Sequence, residues 1–213
     1  MLGRDGSGYL SLPVEPMKIA PVVLEGQVVW LEPLRLSHLT ALCEVGLDED
    51  LWHFMPDGIK RTPADMEQFI ATALDQQALG TALPLAIIER DSGQAIGSTR
   101  FLNIERNHHT IEIGATWIGR NWQRTAVNTA AKYLMLCHAF EALGCIRVEL
   151  KTDVLNERSR RAILRIGAKQ EGIFRNHIIT TSGRIRDSVY FSIIDSEWPA
   201  VKAHLEEKLT HSD

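Results

Sequence analysis

The chain has 213 residues, 45% hydrophobic and 23% charged, enough apolar material to bury one α/β domain and the ordinary balance of a folded chain. Its formal net charge of −4 offers no positive field to a nucleic-acid backbone, and no apolar run approaches the ~20 residues that span a bilayer, so neither partner is expected. The three cysteines, Cys43, Cys137 and Cys145, lack Cys-x-x-Cys spacing and sit among apolar neighbours, the pattern of small buried thiols in a reducing, cytoplasmic setting.

Residues 1–22 mix Gly, Ser and Pro without period and read as a loosely ordered arm ahead of one domain at 23–213. Met17 is a candidate start of translation, which an intact mass counted from Met1 would exclude. Residues 28–34, VVWLEPL, carry the β-branched and aromatic character of a strand. Ser37 opens a segment with apolar residues at helical spacing. The next helix, at 62–80, has Thr62 as cap, Pro63 at its first position and Gly80 as its stop. Two β-rich runs about the Ser92-Gly93 turn predict a hairpin, and 110–119 predicts a third strand in which Gly114 marks a bulge or a close backbone approach. The longest helix is expected at 125–143, apolar on nearly all sides and stopped by Gly144. Beyond it follow a strand at 145–153, a helix at 157–166, two strands about Ser182-Gly183, and a last helix capped by Asp195 or Ser196 with Pro199 in its first turn. The order of elements predicts a mixed α/β sheet.

The strand, loop and helix at 111–136 form the most informative stretch, because a strand that feeds a helix N-terminus presents free backbone N–H groups to an anion. Arg120 and Arg124 add positive charge at its mouth, and Thr125 and Thr129 add hydroxyl donors for a phosphate. Asn156, at the end of a strand, is either a plain helix cap or a further ligand contact. His108 and His109, as neighbours on extended chain, would point to opposite sides, so a solvated turn is expected rather than a metal site. His177 could line a cleft but stands alone.

The element order at 27–195 resembles the GNAT acetyltransferase fold. Within it, Trp122-Gln123-Arg124-Thr125-Ala126-Val127-Asn128-Thr129 resembles the acyl-CoA loop, Gln/Arg-x-x-Gly-x-Gly/Ala. Gln123 matches its first position, while Ala126 and Asn128 replace the glycines. Asn156-Glu157-Arg158-Ser159, with the Gly-Ala and Glu-Gly pairs that follow, is similar to the RimJ/RimL branch, which acetylates protein N-termini.

The resemblance implies one domain with a twisted mixed sheet of six to seven strands, splayed where acyl-CoA enters. It implies acetyl-CoA as cosubstrate, no metal, and a cofactor site made by Thr116, Trp117, Ile118, Gln123, Arg124, Thr125, Ala126, Val127, Asn128, Thr129 and Asn156. If 126–128 already form a helical turn, Ala126 needs no glycine-like φ and adds one methyl, whereas Asn128 either replaces a backbone contact or crowds the ligand. Many relatives protonate the leaving thiolate with a tyrosine, but its position here is Ile163, which leaves Ser159 as candidate. Glu112 could take the proton of the amine, since a carboxylate buried in a cleft can be shifted toward neutrality, and strand alternation would place it on one face with Gly114 and Thr116.

The implied activity is transfer of acetyl to a primary amine, first a protein or peptide N-terminal α-amine, with a small-molecule amine as another acceptor. A non-catalytic acyl-CoA-binding or regulatory protein is the competing reading. The sequence leaves the oligomeric state open, a homodimer included.

Overall fold

The computed structural model describes residues 15–211. Strand β1 (Val29–Pro33) buries Val29 and Leu31 on one side and leaves Trp30 and Glu32 half-covered, as its alternation requires. The segment from Ser37 opens as a 3-10 turn (Leu36–His38), and α1 (Leu39–Gly46) starts only after it, two residues beyond the serine. Helix α2 (Pro63–Ala78) begins with Thr62 and Asp65 exchanging side-chain and backbone bonds in a capping box, with Pro63 in its first turn. The hairpin β2 (Leu83–Glu89) and β3 (Ala95–Glu105) follows, then β4 (Thr110–Ile118).

The long helix divides: α3 (Val127–Cys137) passes into a π-helical stretch (His138–Ala142), and Gly144 at φ +65 ends it. After it come β5 (Arg147–Asp153), α4 (Glu157–Arg165), β6 (Lys169–Ile179), β7 (Ile185–Ile194) and α5 (Trp198–Thr210). The cap of α5 falls to Glu197, which makes no side-chain cap bond, rather than to Asp195 or Ser196.

These strands form one sheet in the order β1-β2-β3-β4-β5-β7-β6. Every neighbouring pair is antiparallel except β4 and β5, which run parallel and pair only where 110–112 meets 147–149. Past Glu112 the two strands part, and this splay opens the sheet in its middle. Helices α1 and α2 cover one face, where Leu42, Met66, Phe69 and Ile70 pack on Ala86, Ile88 and Trp117. Helices α3 and α5 cover the other with Val127, Met135, Trp198 and Leu205 against Leu85, Ile113 and Val148. Strand β2 is buried on both faces and accordingly reads as a continuous apolar run.

Two further expectations need correction, and the bulge signalled by Gly114 is located. Residues 1–14 lie outside the described residues, but Met17 is 4% exposed within the core and its N–H donates to the Arg106 carbonyl (3.2 Å), so the packed domain begins before residue 23. His109 does not lie in a solvated turn: at φ +51 its buried ring bridges the carbonyls of Gly144 (3.1 Å) and Glu15 (2.9 Å), which ties the incoming chain to the sheet. The bulge in β4 sits one residue past Gly114. The ladder moves from Arg100↔Gly114 to Ser98↔Trp117, so β4 carries an extra residue there, and Ala115 takes φ +46.

Gly46 sits at the end of α1 with no room to spare. A Cβ there would lie 2.6 Å from Met66 Cε and 2.6 Å from the Trp117 ring. Gly46→Ala is expected to cost about 1–3 kcal/mol through overpacking. Urea unfolding measures it, and an unchanged midpoint would mean that Met66 yields freely.

Candidate active site

The splay between β4 and β5 opens into a cleft of about 880 Å3. Helix α2 and the chain at 50–60 border it on one side, and the starts of α3 and α4 on the other. The bulge sets which side chains face which half. Without it Glu112 and Thr116 would share a face; the extra residue turns Thr116 to the α3 side, and Glu112, Gly114 and Trp117 remain on the α1/α2 side.

On the α3 side, Thr116 Oγ1 is 2.7 Å from Thr99 Oγ1 and accepts a bond from Lys132 Nζ (2.6 Å). Lys132 is 6% exposed, and among the described residues no carboxylate lies within 4 Å of it. Burial alone pushes its pKa down to about 7. On the other face Glu112 is 1% exposed, accepts from Asn103 Nδ2 (2.7 Å) and pairs with Lys151 Nζ (3.0 Å). A Cβ at Gly114 would come 2.9 Å from Glu112 Oε1, so glycine there leaves the carboxylate its space.

At the mouth, the loop before α3 bends at Arg124, which takes φ +64. Ala126 keeps φ −66 as the helix cap, so the dihedral angles at the first replaced glycine suit alanine. Asn128 stands half-buried on the cleft wall. The opening amides of α3 have no intrahelical acceptor. Val127 N–H donates to Thr125 Oγ1 (3.3 Å), and Thr125 in turn donates to the Trp122 carbonyl (2.7 Å), so this hydroxyl shapes the loop instead of offering a free proton. Thr129 is buried and accepts from Arg165 Nη2 (3.4 Å). Gln123 is likewise employed within the fold: its amide nitrogen donates to the Ile118 carbonyl (3.0 Å) and its oxygen accepts from Arg158 (2.8 Å). Arg120 is tied to Asp48 (2.6 Å) and Asp50 (2.7 Å), which raise its pKa and cancel the charge expected of it at the mouth. Beside the cleft, a second depression of about 540 Å3 gathers Arg124, Arg165, Lys208 and His211 around the start of α3.

Asp153, fully buried at the end of β5, pairs with Arg184 and lies 3.9 Å from Arg186. It also accepts from the Leu155 amide (3.0 Å) and so shapes the turn that presents Asn156. Asn156 caps α4 through a bond from Ser159 N–H (3.0 Å), which is the structural role expected of it, and it still borders the cleft. Ser159 borders the cleft as well; Ile163 is buried at 7% exposure.

Sequence reasoning missed Lys132, Lys151 and Arg100. A lone lysine within the apolar stretch AAKYLMLC was the available signal for Lys132; nothing local marks the other two. His177 lies beside this group, 3.4 Å from Tyr190 Oη, and burial lowers its pKa. Among the described residues no His, Cys, Asp or Glu cluster could hold a metal, and no helix is long and apolar enough to cross a membrane.

Residues 29–169 match the family profile described as "Acetyltransferase (GNAT) domain". "Putative ribosomal N-acetyltransferase YdaF" of Bacillus subtilis (strain 168) is 33% identical over 110 residues, which cover 52% of this chain and 59% of that protein, under two thirds of its length. Among solved structures, a GCN5-related N-acetyltransferase from Brucella melitensis superposes with a TM-score of 0.84 at 32% identity, covering 92% of this chain and 89% of that one. Mycobacterium smegmatis RimJ in complex with CoA-disulfide has the same fold, with a TM-score of 0.73 at 22% identity over 88% of this chain and 92% of that one.

Proposed function

The chain belongs to the GNAT acetyltransferase family, and from that premise we propose that it moves acetyl from acetyl-CoA to a primary amine, first a protein or peptide N-terminal α-amine. The observation that carries the reading is Glu112, buried in the splay on the face of the sheet opposite Lys132 and bordering the same cleft. The name of the B. subtilis relative supports a ribosomal acceptor.

Acetyl-CoA fits the residues present. The cleft is large enough for an extended ligand, the start of α3 borders it with amides that lack intrahelical acceptors, and Arg124, Arg158 and Arg165 supply cations for phosphates. Bound there, it would supply an acetyl group activated as a thioester.

The chain's own residues do the rest. Trp117 and Ile118 follow the bulge and present backbone that no longer pairs with β5, Asn156 and the α3 amides orient the ligand, and Asn128 borders its path. Glu112 accepts the proton that the amine nitrogen sheds as it bonds to the acetyl carbon. Ser159, which borders the cleft, gives or relays a proton to the departing sulfur. An α-amine, with a pKa of about 8, keeps a useful neutral fraction at physiological pH, whereas a lysine near 10.4 demands more of the base.

Purified protein, acetyl-CoA and a panel of peptides and small amines, followed by free-thiol release, test the proposal. Acceptor-dependent thiol is the expected result. The competing acyl-CoA-binding reading is favoured by Ile163 in place of a proton-donating tyrosine; CoA binding without acceptor-dependent thiol would establish it and end the catalytic one.

Arg124→Ala should weaken CoA binding by about three- to tenfold, since its exposed guanidinium gives a charge-assisted contact that water partly screens. Asn156→Ala should lower affinity less and remove about 1 kcal/mol of stability with the lost cap. Calorimetry with CoA reads both, and unchanged affinity in the pair would place the phosphates elsewhere.

A further inference from the structure

Arg100 is a buried cation whose charge nothing nearby balances. It sits on β3 directly opposite Gly114, with its side chain turned to α2, and is 5% exposed. Its Nη1 donates to Gln76 Oε1 (3.1 Å) and its guanidinium lies 4.8 Å from the centre of the Phe69 ring. Its Nε–H is buried without a hydrogen-bond partner, and among the described residues no carboxylate is within 4 Å. Burial lowers its pKa, and only the more distant Asp57 pulls the other way.

The other cations around this half of the cleft are satisfied. Lys60 donates to the carbonyls of Asp57 (2.7 Å) and Gly58 (2.9 Å), Lys151 pairs with Glu112, and Arg186 donates to Ser188 and to the Phe54 carbonyl near Asp153. A buried guanidinium left with a free N–H and no counter-charge costs stability, and an anionic ligand group that arrives on it removes the cost.

Arg100 and Glu112 lie on the same face of the sheet. Arg100 is paired with Gly114, and Glu112 is the next residue along that face, so the two are diagonal neighbours, with Cβ atoms on the order of 7 Å apart. On β4 the position beside Arg100 is glycine, and the space a Cβ would take there is bordered by Glu112 Oε1 (2.9 Å) and Leu102 Cδ1 (3.0 Å).

We propose that the acceptor is an amine that carries a carboxylate within a few bonds, and that the carboxylate docks on Arg100 while the amine faces Glu112. The inference rests on the acetyl-transfer reading and narrows its acceptor. Two sources share this chemistry: a free amino acid, and a peptide N-terminus with Asp or Glu at its first or second position. Polyamines and aminosugars, which would bring further positive charge to Arg100, are disfavoured.

The test pairs each acceptor with its neutral twin: amino acids with their amides, and Asp- or Glu-starting peptides with their Asn or Gln counterparts. Thiol release with acetyl-CoA gives kcat/KM, and calorimetry on the protein saturated with CoA gives acceptor binding without turnover. The wild type should favour the carboxylate member by about ten- to a hundredfold, the worth of a charge-assisted bond in a buried site. In Arg100→Met that ratio should fall to near one, chiefly through KM; in Arg100→Lys, which keeps the charge, part of it should survive. The better-bound pair, amino acid or peptide, identifies the source. A wild type indifferent to the carboxylate, or an Arg100→Met protein that loses both twins equally while its melting temperature is kept, overturns the proposal. Arg100-dependent binding without thiol release would leave the docking intact and defeat only the catalytic reading.

Discussion

Replacing Lys132 with Met is expected to make the protein more stable at pH 7, by several kcal/mol. The sign follows from where the proton sits. In the fold burial pushes the ammonium pKa down to about 7, against 10.5 for the free side chain, so between these values the unfolded chain holds a proton that the folded one has released. Stability therefore rises with pH across that window. Its deficit is absent above 10.5, grows as the pH falls, and is complete below 7. At about 1.4 kcal/mol for each pH unit between the two values, the deficit approaches 5 kcal/mol. Urea unfolding of wild type and Lys132→Met at pH 6.5, 8 and 9.5 reads it: the variant should be more stable at each pH, with a gap that narrows toward 9.5. Parallel pH profiles for the two proteins would mean that water reaches the amine. Thr116 loses the bond from Lys132 in the variant and retains Thr99 as a partner; it is the pH-dependent part of the gap that reports the charge.

Glu112→Gln should lower kcat by about a hundred- to ten-thousandfold, the range for loss of a positioned base, with CoA affinity retained. Glutamine preserves the volume beside Gly114 and can still accept from Asn103, but it cannot take a proton from the amine. Lys151 loses its carboxylate partner, and since it is partly exposed its charge can turn to water. Unfolding midpoint and CoA calorimetry serve as controls for the fold. Equal turnover in a folded, CoA-binding variant would remove Glu112 from proton transfer and restrict it to its bond with Lys151.

Both predictions concern groups that the bulge in β4 distributes between the two faces of the sheet. One extra residue sends Thr116 to Lys132 and leaves Glu112 on the other face, so a single backbone irregularity divides the unbalanced Lys132 from the Glu112–Lys151 ion pair within one cleft. Charges retained in such positions against stability are commonly found where ligands bind.

What the sequence by itself determined was local. Thr62, Pro63, Gly144 and Asn156 act through bonds to residues three positions away or through their own φ, and each stands where its chemistry placed it. The order of strands and helices follows from periodicity in the same way, and the resemblance of that order to the family's implied its splayed sheet. Tertiary structure decided the rest, because each of those features depends on partners far along the chain. The extra residue in β4 is defined only against β3, the hydroxyl of Thr125 was claimed by the loop and that of Thr129 by Arg165, and Arg120 was drawn to Asp48, seventy-two residues away. Lys132 is marked only by its apolar neighbours in AAKYLMLC and Arg100 by nothing local; the sheet and helices that close over them bury both. Burial sums over the whole fold, and no short window of sequence contains it.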